Sequence, residues 1–164
     1  QDDYRICCQE RHLPWFLDSA RGFEVKVREE TEEVAALSLQ GPCSAAVLGA
    51  AGFDVSSLKP FRMITLPFGS GQVTISRTGF TGDLGYELWL APEQALPLWD
   101  HLIASGAPWG IRPVGSDALN LARIEAETLR IRDITARLAA LIEPVVTSYP
   151  ATEGIPMVDL GRSR

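Results

Sequence analysis

The chain has 164 residues, 46% of them apolar, and a formal charge of −6 at pH 7. That length suits one domain or a compact pair of subdomains, with enough apolar content for a core and too much for disorder. The acidic balance argues against a nucleic-acid footprint, which is basic and clustered, and no apolar run approaches the roughly 20 residues of a membrane-spanning helix.

Tyr4–Cys8 reads as a short strand, followed by a helix from Glu10 to Ala20 with Leu13, Phe16, Leu17 and Ala20 at helical spacing. Pro14 falls in the first turns of that helix, and Gly22 marks its end. Phe23–Arg28 alternates as a half-exposed strand, and the charged run Glu29–Glu33 reads as a solvated turn. Val34–Leu39 is apolar on both faces and is expected to be a central strand. Gly41-Pro42 turns it into a short helix, about Cys43 to Gly49, and Phe53–Pro60 is a loop. Phe61–Phe68 and Gln72–Ser76 are strands joined by Gly69-Ser70-Gly71, a hairpin signature.

The segment SRTGFTGDLGYELWL, Ser76 to Leu90, is the most informative. Glycines 79, 82 and 85 recur at every third position, as a turn or a close backbone approach requires. A strand follows, with Tyr86, Leu88 and Leu90 on one face and Glu87 and Trp89 on the other. Two readings of Glu87 stay open. One is a solvated carboxylate on a tight hairpin. The other is a ligand-facing carboxylate beside an aromatic wall, able to accept two parallel hydrogen bonds from a planar ligand. The glycine spacing is no dinucleotide fingerprint, because it opens a strand and not a helix.

A helix from Pro92 to Ser105 comes next, with Leu96, Trp99, Leu102 and Ile103 as its buried stripe and Pro97 expected to bend it. Pro108–Pro113 is an extended link, and Ser116 is an N-cap for a helix from Asp117 to about Glu127. The strand-helix-strand order occurs twice. It predicts an α+β fold of two related β-α-β subdomains, with helices packed on a mostly antiparallel sheet. Cys7, Cys8 and Cys43 make neither a disulfide framework nor a metal pattern. They read as small apolar residues in a reducing, cytoplasmic compartment, and no signal peptide is visible. His12 and His101 are the only histidines, and without paired Cys/His spacing no metal site is expected.

The segment from Ser76 to Leu90, with ALPLWDHLIASGAPWGIRPVGSDALNLARIEAE after it and ALSLQGPCSAAVL before it, closely resembles the folate-binding core of the aminomethyltransferase family. That family includes the T-protein of the glycine cleavage system and tetrahydrofolate-dependent demethylases. The resemblance runs from about Tyr4 to at least Ile134. It implies a folate-binding domain over residues 1–135, with its N-terminal part missing. Residues 136–164 would be an extended segment leading to a β-rich domain outside this chain, so the chain reads as the middle of a longer protein. The implied cofactor is tetrahydrofolate, and the implied partners are folate and a small one-carbon donor, with no nucleic acid and no membrane. A truncated domain with an exposed apolar face would favour self-association into a homo-oligomer.

Residue by residue, Glu87 matches the family's pterin-binding glutamate. Phe80 falls where the family often has tyrosine, so the ring wall is kept and a hydroxyl is lost. Trp89 is the adjoining wall. Gln40 lies in the family's Gln-Gly-Pro turn, where ligand contact and turn stabilisation are both open. Glu125 is the helix residue that approaches the cavity or pairs with a neighbouring arginine. The family's catalytic aspartate falls near His12, where this chain has no carboxylate. Leu119 replaces an arginine common in aminomethyltransferases, and this stretch is more similar to the demethylase and uncharacterised branches, which argues against strict glycine-cleavage activity. The resemblance implies an enzyme that transfers an aminomethyl or methyl unit to tetrahydrofolate. The alternative is a non-catalytic folate-binding module of the iron–sulfur assembly or regulatory type, or an inactive fragment. The K-G-C-Y-x-G-Q signature of the iron–sulfur relatives is absent, which favours the enzyme.

Overall fold

The computed structural model describes residues 3–8 and 10–148. The chain divides after Pro113 into two units.

The first unit is built on a four-stranded antiparallel sheet in the order β1-β4-β3-β2. Its strands are β1 (Ala35–Gln40), β2 (Met63–Phe68), β3 (Gly71–Ser76) and β4 (Gly85–Leu90). The β2–β3 hairpin forms where the glycines predict it, with Gly69 at φ 56, a left-handed conformation that glycine adopts without a Cβ clash. Pro67 is tolerated because β2 is an edge strand. β1 is the other edge, so the expectation of a central strand there is corrected. Its apolar residues reflect one well-packed face, Leu37 and Leu39, and not burial from both sides.

Alternation assigns each sheet face a role. Val73, Ile75, Tyr86, Leu88 and Leu90 point into the core, where they meet Leu48 of α2 (Ser44–Ala50) and Leu98 and Leu102 of α3 (Ala95–Gly106). Phe53, Val55 and Leu58, from the loop after α2, complete that core. His101 ties the two helices together: its Nε2 donates to Ala51 O (2.9 Å) at the C-terminus of α2, and its ring packs against Phe53 and Phe68.

The helix expected from Pro92 is a 3₁₀ turn, Pro92–Gln94, followed by α3. Pro97 therefore lies in the first turn of α3, where its missing N–H leaves little unsatisfied. The buried stripe is also shifted. Leu98 and Leu102 are buried and Ile103 is half-buried, whereas Leu96 and Trp99 are exposed. Gly106 closes α3 against Ile111, and a Cβ there would lie 2.7 Å from Ile111 Cγ2 and 2.8 Å from its Cβ. Gly106→Ala is expected to destabilise the chain by about 1–3 kcal/mol through overpacking, measured by urea denaturation. A loss below about 0.5 kcal/mol would mean that Ile111 swings aside freely.

The stretch ahead of β1 departs most from expectation. α1 (Leu13–Ser19) is shorter than the Glu10–Ala20 helix, though Pro14 does fall in its first turn. Tyr4–Cys8 and Phe23–Arg28 form no strands, and Tyr4, Ile6, Phe23 and Val25 are exposed. Their alternation supplies the period of a strand but not a partner to complete the ladder. Exposed ion pairs link these segments instead, Arg5 to Glu30 (3.0 Å), Arg11 to Glu29 (3.4 Å) and Arg28 to Glu33 (2.7 Å). Cys7, Cys8 and Cys43 are free, as expected, but all three are exposed and so do not serve as buried small apolar residues.

The second unit is a single helix over its described part, α4 (Ser116–Ser148). It begins one residue earlier than expected: the Leu119 N–H donates to Gly115 O (3.1 Å), so Gly115 and not Ser116 supplies the cap carbonyl, and Ser116 is the first helical residue. It then runs well past Glu127. Residues 117–143 contain neither glycine nor proline and are rich in Ala, Leu, Arg and Glu, all good helix formers. Arg123–Glu127 and Asp133–Arg137 pair at i, i+4 along it, each at 3.0 Å. The segment expected to be extended from residue 136 is helical to 148, which corrects that part of the expectation. Its remainder, Tyr149–Arg164, lies outside the described residues. Only one sheet is present among the described residues, and a second β-α-β subdomain is not seen there.

Candidate functional site

The sheet face turned away from the core carries the candidate chemistry. The register sets Glu87 of β4 between Ser38 of β1 and Ser76 of β3, and Trp89 between Ala36 and Thr74. Glu87 and Trp89 are both half-buried. Among the described residues, no hydrogen bond or ion pair engages the Glu87 carboxylate. The hydroxyls beside it are organised: Ser76 Oγ and Thr78 Oγ1 are 3.0 Å apart, as are Thr65 Oγ1 and Thr74 Oγ1 on the same face. A half-buried carboxylate that no described residue engages keeps its hydrogen-bonding capacity for water or a ligand.

β3 and β4 are joined by an eight-residue loop, 77–84, and not by a tight turn. Arg77 anchors its start: its N–H donates to Arg62 O (2.9 Å), its carbonyl accepts from Phe61 N–H (3.0 Å), and its guanidinium donates to Leu58 O (2.9 Å). Gly79 and Gly85 are explained by close approach, and Gly82 by its left-handed φ of 79°. A Cβ on Gly79 would lie 2.5 Å from Asp83 O, and one on Gly85 would overlap the side-chain amide of Gln40, 2.5 Å from its Cδ. Gln40 reaches across from the end of β1 to hold the loop. Its Oε1 accepts from Phe80 N–H (2.9 Å), and its Nε2 donates to Ser38 Oγ (3.0 Å) and Thr78 O (3.4 Å). Of the two roles open to Gln40, turn stabilisation is therefore the one its contacts serve. Phe80, held through its backbone, is 43% exposed.

The sequence reading did not single out Ser38, Ser76 or Phe61. Alternation along β1 would have placed Ser38 opposite Leu39, but its alignment with Glu87 comes only from the strand register. Among the described residues, Phe61 is the one non-glycine with positive φ, at 60°, and it is 84% exposed at the same end of the sheet. A bulky residue in that conformation is a genuine outlier.

Glu87, Trp89, Gln40 and Phe80 thus share one loop and one sheet face. His12 is not joined to them by any hydrogen bond or ion pair among the described residues. It stands exposed at the N-cap of α1, where its carbonyl accepts from Phe16 N–H (3.1 Å) and its side chain makes no capping bond. Glu125 lies exposed on α4 in the second unit, where Arg123 pairs with Glu127 at 3.0 Å. No helix among the described residues is long and apolar enough to cross a membrane, and no group of three His, Cys, Asp or Glu side chains there is arranged to hold a metal.

A separate cleft of about 330 Å³ lies beside α2, lined by Ala45, Gly49, Phe53, Asp54 and Ser56 among others. Its carboxylate is already engaged. Asp54 Oδ1 accepts from Ser56 N–H (3.0 Å), and hydrogen bonding by Ser56 holds the Asp54 pKa below its usual value.

Residues 3–141 match the GCVT N-terminal domain. The chain is similar to the aminomethyltransferase of Chlorobaculum parvum, 39% identical over 121 residues, which is 71% of this chain and 33% of that protein. It is similar to the aminomethyltransferase of Bacillus subtilis, 36% identical over 120 residues, or 72% of this chain and 33% of that protein. The aminomethyltransferase of Clostridium botulinum is 31% identical over 123 residues, or 74% of this chain and 33% of that protein. The chain therefore spans about a third of the length of these relatives.

Proposed function

Because the chain belongs to the aminomethyltransferase family, through its GCVT N-terminal domain, we propose that it serves a tetrahydrofolate-dependent transfer of an aminomethyl or methyl unit, with the pterin ring of folate held against the Glu87 face. One observation carries this reading. Glu87 is a half-buried carboxylate without a hydrogen-bond or ion-pair partner among the described residues, set beside Trp89 and flanked by Ser38 and Ser76. A pterin offers an adjacent ring N–H and amino group, which a carboxylate accepts as a parallel pair, as it does from a guanidinium. The flat ring also needs an apolar wall, which Trp89 supplies on one side and the loop bearing Phe80 extends.

In this reading the protein binds and orients, and bound tetrahydrofolate supplies the nitrogen that carries the one-carbon unit. Glu87 fixes the ring's orientation by charge-assisted hydrogen bonds. Trp89 excludes water from one side, which strengthens those bonds by lowering the local dielectric. No step is placed at His12. Binding without turnover is the competing reading, and the histidine at position 12, where the family carries its catalytic aspartate, is what favours it.

A fluorescence titration with 5-formyltetrahydrofolate tests the placement. The ligand is expected to quench tryptophan emission saturably, and Trp89→Phe to remove about half of the quench or more, because short-range stacking on one ring dominates it. A quench of unchanged amplitude in Trp89→Phe would remove the pterin from this face.

A further inference from the structure

We infer that Gln40 is a positioning residue: its side-chain amide sets the height and orientation of residues 78–80 over the Glu87 face, and it controls ligand affinity there without touching the ligand. The ligand's identity rests on the folate reading above, but the clamp itself does not.

A glutamine amide has one acceptor oxygen and two donor hydrogens. In this chain the oxygen takes the Phe80 N–H, and the donors go to Thr78 O and Ser38 Oγ. The polar capacity left over for a ligand is small. The two bonds to the loop bracket Gly79, so they fix the segment that carries the Phe80 ring. A third strut runs alongside, from Gly41 N–H to Leu84 O (2.8 Å). Gly85 completes the device. Its position in β4 is ordinary strand, so its glycine is required by space and not by conformation. A methyl group there would occupy the place of the Gln40 amide, which lies at the end of a flexible side chain and can be pushed out while the sheet stays paired. Gln40 and Gly85 are therefore one functional unit, separated by the loop they hold.

The consequence is a coupling that a merely structural role would not show. The 164-residue chain is compared with Gln40→Ala, Gly85→Ala and the double substitution, by amide hydrogen exchange and by titration with 5-formyltetrahydrofolate. Each single substitution is expected to raise exchange at the Phe80 amide by about tenfold, the worth of one hydrogen bond, while Ile75 and Leu88 in the sheet stay protected. The dissociation constant is expected to rise about fivefold in each single variant and no further in the double, because both changes release the same clamp. Gln40→Glu, which keeps the acceptor and the shape but loses both donations, is expected to release Thr78 while retaining protection of Phe80.

Unchanged exchange at Phe80 overturns the proposal. So does a parallel loss of protection at Leu88, which would make Gln40 a residue of the fold, and so do independent, additive effects of the two substitutions. If the unsubstituted chain fails to bind folate, the folate reading falls, and the exchange data alone decide on the clamp.

Discussion

Leu98→Ala is expected to destabilise the first unit by about 2–5 kcal/mol, whereas Leu96→Ala, two positions away on the same helix, is expected to change stability by less than about 0.5 kcal/mol. Leu98 is fully buried among Leu48, Leu88 and Leu102, and its truncation removes apolar contacts and leaves a cavity in a core that can relax only partly. Leu96 is 68% exposed and has little to lose. Against a typical domain stability of about 5–15 kcal/mol, the first substitution approaches unfolding and the second is nearly silent. Urea denaturation of both variants checks the pair. Equal losses would mean that α3 presents a different face to the sheet.

The contrast shows what a periodic pattern decides. Leu96, Leu98, Trp99, Leu102 and Ile103 spread over an arc of roughly 160° of the α3 circumference at about 100° per residue, wider than the stripe that is buried, so spacing alone leaves the buried face open. The 3₁₀ turn before the helix and the packing against the sheet settle it. The same limit appears at Tyr4–Cys8 and Phe23–Arg28, which alternate as clearly as β3 does but lack a pairing neighbour. The hairpin from Met63 to Ser76 was legible because both its period and its turn chemistry are local. Strand order is not local, and β1 took an edge that its composition did not suggest.

At the candidate site, the division of β4 into a core face and a Glu87–Trp89 face followed from alternation alone. The placement of Ser38 and Ser76 beside Glu87 needed the register. The Gln40 clamp on Phe80 spans 40 positions of sequence, and no local signal encodes it.

The second large effect concerns binding. Glu87→Ala is expected to weaken affinity for 5-formyltetrahydrofolate by tenfold or more, about 1.4 kcal/mol, since charge-assisted hydrogen bonds contribute about 1.5–3 kcal/mol. Stability is expected to change by less than about 0.5 kcal/mol, read in the same preparation by thermal melting. A carboxylate that makes no hydrogen bond or ion pair among the described residues offers the fold little to lose, and sites kept for ligands are commonly stabilised when such groups are removed. A loss of affinity accompanied by an equal loss of stability would instead make Glu87 a structural residue.

The most direct measurement is calorimetric titration of the chain and of Glu87→Gln with 5-formyltetrahydrofolate. Glutamine keeps the size and the carbonyl acceptor but removes the charge and puts donors where the pterin's own donors must go. If the pterin sits on the Glu87 face, the chain binds saturably and Glu87→Gln binds at least about tenfold more weakly, with both proteins folded. Equal affinity in the two proteins, or no binding by a chain that is folded, would contradict that placement.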